Sequence, residues 1–286
     1  MLGGLIGCCL LFAAGASAAA ADVVARSDGA DIHSDRWLMR VTALADDILR
    51  VRAVMGTDLP EDASWTVPEA MRGHSVNVSV KSDADVVSFQ TKSLSVRIER
   101  SPLRLIVSDL AGHVISADAP TRAVDAVGSG FTLRKTLPQT EHFFGLGDKT
   151  GPLDRRGQAF TLWNTDAYHF QESTDPIYKS IPFFIAAGGP GGSYGILLDN
   201  TWRSWFDFGK QDPQTLAFGS AGGPIDYYLI YGPSVHHVVE RYTDLTGKPP
   251  LTPVWALGFQ QSRYSYMSAA DVHRSEERRV GKECVP

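Results

Sequence analysis

Between about Trp37 and Tyr231, apolar and polar residues mostly alternate in short runs. The clearest are Ile48-Leu49-Arg50-Val51-Arg52-Ala53-Val54, Val76-Asn77-Val78-Ser79-Val80, Leu94-Ser95-Val96-Arg97-Ile98 and the start of Leu103-Arg104-Leu105-Ile106-Val107. A period of two with one polar face predicts half-buried antiparallel strands. Ser82-Asp83, Ala111-Gly112 and Gly128-Ser129-Gly130 supply turn chemistry between them. Further strands are predicted at Phe160 to Trp163, Phe183 to Ala187, Tyr194 to Asp199, Trp202 to Phe208 and Ile225 to Tyr231. Many short strands with no helical pattern between them point to a large β-sandwich, and hence to a mostly β fold.

The period then changes. Val235, Val238, Val239, Tyr242 and Leu245 follow helical spacing, with Pro233 near the start and Gly247 just past the end. Lys248-Pro249-Pro250-Leu251-Thr252-Pro253 is a stiff, extended connector, and the best domain boundary in the chain. After it, Trp255 to Gln260 is nearly continuously apolar, as a parallel strand buried on both faces requires. Ser268-Ala269-Ala270-Asp271 reads as a helix start of the capping-box type.

The composition is that of an ordinary globular chain: 286 residues, 43 % hydrophobic and 21 % charged, with a net charge of −5. No basic patch accumulates, so nucleic acid is not an expected partner. No run after the first two dozen residues is long enough to span a membrane. Leu5 to Ala14 is apolar and Ala16-Ser17-Ala18 fits a cleavage site, so residues 1–21 read as a signal peptide and the mature protein as secreted or periplasmic. No Lys or Arg precedes the run, which leaves the start codon open. A lipoprotein reading of Leu5-Ile6-Gly7-Cys8 fits less well, because the apolar stretch follows the Cys. The cysteines are Cys8, Cys9 and Cys284. Residues 22–249 therefore have no disulfide framework and no thiolate metal site.

Three segments resemble glycoside hydrolase family 31, the family of α-glucosidases and α-xylosidases. They are Phe143-Phe144-Gly145-Leu146-Gly147-Asp148-Lys149 with Arg155-Arg156-Gly157; Thr161-Leu162-Trp163-Asn164-Thr165-Asp166 with Asp175-Pro176-Ile177-Tyr178-Lys179 and Ser180-Ile181-Pro182-Phe183-Phe184; and Pro253 to Tyr266. The resemblance covers roughly Trp37 to His273. It implies a galactose-mutarotase-like sandwich over residues 22–249 and the first strand and helix start of a (β/α)8 barrel over residues 250–273. It also implies that Asp166, on a sandwich loop, helps bind sugar, and that Tyr264, with Arg263 beside it, lines the pocket for the sugar being cleaved. Without it, an Asp after Asn-Thr reads as turn chemistry, and Tyr264 as a core or interface aromatic.

A retaining glycosidase needs two carboxyl groups about 5–5.5 Å apart. In the family both lie on later barrel strands, and the nucleophile's motif does not occur here, so no catalytic residue is assigned to this chain. A barrel takes on the order of 250 residues, whereas 36 follow Pro250. Arg274 to Cys284 resembles a translated sequencing adapter, so residues 274–286 are expected to be an artefactual tail; a charged, solvated helix face is the alternative.

Other motifs carry less. Gly147-Asp148-Lys149-Thr150 fails as a phosphate loop, because Asp replaces the Gly that should precede Lys. His236 and His237 are adjacent on a helix and diverge, which argues against a metal pair. Asn77-Val78-Ser79 is a formal glycosylation sequon. No cofactor or metal is expected, and oligomeric state is not legible. The reading is thus an N-terminal part of a retaining α-glucosidase-like hydrolase acting on α-linked oligosaccharides. The alternative is a non-catalytic carbohydrate-binding β-sandwich module.

Overall fold

The computed structural model describes residues 22–34, 36–260 and 266–280. The signal-peptide reading of residues 1–21, and both Arg263 and Tyr264, lie outside the described residues. The chain divides into two compact units, the first ending at Gly247 and the second beginning at Lys248.

The first unit is built from three antiparallel sheets. The large sheet has eight strands in the order Asp22–Arg26, Gly29–Ser34, Trp37–Ala45, Ile48–Met55, Ile225–Gly232, Gly192–Leu198, Ser180–Gly189 and His142–Gly147. The small sheet has five, Val124–Val127, Gly130–Thr136, Thr215–Ser220, Ser204–Phe208 and Ala159–Leu162. A flanking sheet contains Lys81–Ser82, Val86–Gln90, Leu94–Arg100, Leu103–Asp109 and Val114–Ala117. The fold is therefore mostly β, a sandwich with a third, flanking sheet.

Alternation sets which side chains meet between the sheets. Phe143 and Phe184 of the large sheet lie 5.0 and 5.2 Å from the Phe208 ring of the small sheet, and Phe218 lies 5.9 Å from Tyr227. These rings are fully or almost fully buried and join the two sheets into one core. Aromatic pairs of this kind add roughly 0.5–1.5 kcal/mol each beyond area burial. On the other face of the large sheet lies the helix Val235–Thr246, whose Tyr242 stacks on Phe183 at 4.0 Å. Ser234 caps it by accepting from the His237 amide, and Gly247 ends it at φ 94°. His237 turns to Asp47 at 3.0 Å, while His236 is exposed on a different face.

Gly145 and Gly147 have φ of 123° and 78°, and the pairing with Ser180–Gly189 shifts register between them. These two glycines bracket a β-bulge. A Cβ on Gly147 would lie 2.5 Å from the Lys179 carbonyl oxygen, so no other residue fits.

Three elements differ from the sequence pattern. Val76, Val78 and Val80 are half-buried and their neighbours exposed, as alternation requires, but residues 76–80 form no strand. The Val76 and Val78 amides bond the Ala43 and Ser27 carbonyls, so the segment lies along the large sheet without entering it. In the second unit, Trp255 to Gln260 is not a strand. Val254–Leu257 is a turn of 3-10 helix closed by the Ala256 amide on the Pro253 carbonyl. A parallel strand needs hydrogen-bonding neighbours on both edges, and without them the backbone bonds locally. Finally, the helix begun by Ser268, whose hydroxyl accepts from the Asp271 amide, runs from Ala269 to Val280. It thus continues past Val272, where the apolar pattern lapses. Glu and Arg are good helix formers without an apolar face, and an Arg274–Asp271 pair adds to the first turns.

Candidate functional site

Asp166 lies in the loop between the strand Ala159–Leu162 of the small sheet and Ser180–Gly189 of the large sheet. The neck of this loop is fastened from three directions. Lys149, whose side chain is 1 % exposed, donates to the Thr161 carbonyl at 2.6 Å and to Asp175 at 3.2 Å. The other oxygen of Asp175 accepts from the Thr161 amide at 2.5 Å. Burial pushes the Lys149 pKa down, and Asp175 opposes that shift without cancelling it. Thr165 and Tyr178 form an isolated antiparallel bridge, and Asn164 accepts from the Ser180 amide at 2.8 Å. Farther out, Phe170 packs edge-on against Tyr178 at 5.9 Å.

Asp166 follows the bridge residue Thr165 directly. Its side chain is exposed and makes no hydrogen bond or ion pair among the described residues. A carboxylate in that state is free to accept hydrogen bonds from hydroxyl groups of a ligand. It is not the turn-closing Asp that the local sequence allows: in this loop Thr165 takes that part, its hydroxyl donating to the Trp163 carbonyl. The structure thus leaves Asp166 available. Arg263 and Tyr264 lie outside the described residues.

Beside the loop base is a cavity of about 360 Å³ lined by Trp163, Asn164, Ser180, Pro182, Asn200 and Trp202, among others. Both indoles are about half exposed. Trp202 lies against Gly222 and Gly223, and its amide is held by Asn200, whose own amide group donates to the Gly222 and Pro224 carbonyls. The Ser180 hydroxyl is buried there without a partner among the described residues. Aromatic faces with fixed polar groups between them suit a ligand that has apolar C–H faces and hydroxyl edges.

Sequence reasoning did not find Trp163 and Trp202 as a pair, nor the Lys149–Asp175 fastening. Lys149 and Asp175 stand in two different family-like segments, with no role read for either. Their separation, 26 residues along the chain, leaves no local signal. Among the described residues no cluster of three or more His, Cys, Asp or Glu could hold a metal ion, and no helix is long and apolar enough to cross a membrane.

Residues 38–207 match the glycosyl hydrolase 31 N-terminal galactose mutarotase-like domain. Alpha-glucosidase 2 of Bacillus thermoamyloliquefaciens is 34 % identical over 253 residues, which is 88 % of this chain and 32 % of that protein. An alpha-glucosidase of Saccharolobus solfataricus is 37 % identical over 139 residues, 49 % of this chain and 20 % of the relative. The crystal structure of a GH31 dextranase variant from Flavobacterium johnsoniae, complexed with isomaltotriose, superposes with a TM-score of 0.82 at 28 % identity, covering 92 % of this chain and 32 % of that one. The chain thus spans about a third of the length of the Bacillus enzyme and of the dextranase. With residues 38–207, more than half of its length, matched by that domain, the chain belongs to glycoside hydrolase family 31.

Proposed function

We propose that this chain is the N-terminal portion of a retaining α-glucosidase-like hydrolase that acts on terminal α-linked sugars. In this reading the sandwich presents Asp166 to the sugar, Arg263 and Tyr264 line the same pocket, and the catalytic carboxylates belong to barrel strands beyond these residues. The observation that carries it is the Asp166 carboxylate, exposed and unpartnered among the described residues, on a loop fastened by Lys149 and Asp175. A loop used only for connection has no need of a buried lysine at its neck. The segment at residues 5–18 supports a secreted or periplasmic location.

The reading of a free-standing carbohydrate-binding module has less support. Val254, Trp255, Leu257 and Phe259 are all at least 72 % exposed, and a cluster of large apolar side chains in that state is a surface made to be covered.

Two measurements test the proposal. The purified 286-residue chain is expected to release no aryl alcohol from an aryl α-glucoside; steady turnover overturns the assignment of the carboxylates to other residues. In the parent enzyme, Asp166→Asn is expected to raise KM for a maltooligosaccharide at least tenfold, and an unchanged KM removes Asp166 from the sugar site.

A further inference from the structure

The outer face of the small sheet carries a second groove. Phe206, Phe208, Leu216 and Phe218 point into the core and are fully buried, so alternation puts Trp205, Ala217, Gly219, Thr132 and Arg134 on the opposite face. In register, Thr132, Gly219 and Trp205 form one row across three neighbouring strands. Gly219 is required by the backbone, since a Cβ there would lie 2.2 Å from the Phe131 carbonyl oxygen. The space it leaves is taken by the Trp205 indole, whose six-membered ring would lie 3.0 Å from the same Cβ. The indole therefore lies over the sheet rather than standing away from it.

Two adjoining cavities, of about 340 and 590 Å³, run along this face and share Arg134, Asp212 and Thr215. Each is within the roughly 300–1,000 Å³ of small-ligand sites. Trp205 lines one, and Pro138 and Gln139 line the other. No residue is shared with the cavity of Trp163 and Trp202.

Charge decides the class of occupant. The Arg134 guanidinium is matched by Asp125 at 2.6 Å, and Arg122 shares that carboxylate at 2.8 Å. Asp212 accepts from the Thr215 hydroxyl and the Gln214 amide, and Asp207 accepts from the amides of Lys210 and Gln211. Two guanidinium groups against three carboxylates leave no strong field of either sign to select an ion. The side-chain amides of Gln139, Gln211 and Gln214 are exposed and bond nothing among the described residues. Each offers donors and an acceptor to hydroxyl groups. An aromatic face, charges of both signs already hydrogen-bonded within the protein, and exposed carboxamides fit a neutral polyol chain.

We propose that this groove is a second carbohydrate-binding site, in which Trp205 stacks against one pyranose of an α-glucan and the carboxamides bond the hydroxyls of the next. It rests on the α-linked sugar reading for the choice of ligand, but not for the geometry. The test is affinity electrophoresis of the 286-residue chain in native gels containing dextran or soluble starch. The wild type is expected to be retarded in at least one of the two. Trp205→Ala is expected to weaken retardation at least fivefold, both in the wild-type chain and in one already carrying Asp166→Asn. Ala217→Leu, which fills the groove from an outward strand position and keeps the indole, is expected to weaken it as well, and decides the matter if Trp205→Ala fails to fold. An unretarded wild type overturns the groove, as does full retardation of Ala217→Leu. Loss on Asp166→Asn alone also overturns it, while leaving the hydrolase reading intact. That reading is judged independently by the glucoside assay and the KM of the parent enzyme.

Discussion

The Lys135 ammonium lies 2.7 Å from Asp118, with both side chains at most 7 % exposed, and the Tyr227 hydroxyl lies 3.3 Å from the same nitrogen. Lys135 belongs to the small sheet, Asp118 directly follows the last strand of the flanking sheet, and Tyr227 belongs to the large sheet. Asp118 also accepts from the Leu105 amide at 2.8 Å. One buried pair thus ties the three sheets together. Burial alone would lower the Lys135 pKa, but Asp118 and Tyr227 outweigh it and hold the ammonium above the ordinary lysine range. Removing one partner leaves a buried charge unmatched, which costs about 3–5 kcal/mol. Asp118→Asn is therefore expected to lose about that much stability in urea unfolding. Lys135→Met with Asp118→Asn is expected to lose less than the sum of the single changes. Additive losses would show that the pair is not coupled.

Glu141 gives the fold a pH dependence. It is 2 % exposed and accepts from the Tyr194 hydroxyl at 3.2 Å. Burial raises its pKa to about 7, against the opposing effects of the Tyr194 bond and the Arg156 charge. The folded protein therefore holds this proton more tightly than the unfolded chain does. Stability is expected to fall as pH rises from about 4.5 to about 7, where the unfolded state has already released the proton. One pKa unit is worth about 1.4 kcal/mol, so the loss is at most about 3 kcal/mol. Glu141→Gln is expected to flatten this part of the pH–stability curve. An unchanged slope would locate the dependence elsewhere.

The loop that carries Asp166 separates a binding role from a structural one. Asp166 is exposed and unpartnered among the described residues, so Asp166→Asn is expected to change stability by no more than about 0.5 kcal/mol. Lys149→Met removes the donor to the Thr161 carbonyl and to Asp175, and leaves a partly buried carboxylate without its cation. Its expected cost is about 1–3 kcal/mol, accompanied by faster amide exchange at Thr161 and Thr165. Equal effects of the two substitutions on melting temperature would contradict the division.

Much of this architecture is legible in the pattern of the chain, for reasons particular to each element. Leu94–Arg100 alternates cleanly, and its apolar residues are the buried ones. Val76 to Val80 alternates equally well, yet it lies outside any sheet: alternation reports which face is buried, not which backbone supplies the hydrogen bonds. Thr215–Ser220 carries Ala217 and Gly219 on its outer face, and those small residues hide the strand from a hydrophobicity pattern while making the floor of the groove. Asp166 was found through the resemblance of Thr161 to Asp166 and its continuation to a family motif. Trp202 and Lys149 owe their places to contacts with residues distant in sequence, which periodicity cannot register.

Leu251 to Phe259 carries the exposed apolar surface of the second unit. Val254, Trp255 and Leu257 are 85, 83 and 72 % exposed, and their backbone is a short 3-10 turn in place of the strand that their sequence resembles. Large apolar residues next to one another in solvent favour self-association, since covering each side chain is worth roughly 1.5–3 kcal/mol. The isolated chain is therefore expected to aggregate at micromolar concentration, with light scattering rising with salt. Replacing Trp255 and Leu257 together by Ser is expected to raise the monomer fraction in sedimentation velocity, leaving the unfolding of the sandwich within about 0.5 kcal/mol of wild type. The second expectation follows because none of the sandwich's buried clusters includes either residue. If the double variant aggregates as the wild type does, the association surface lies on the sandwich, and the half-exposed indoles of Trp163 and Trp202 become the next residues to replace.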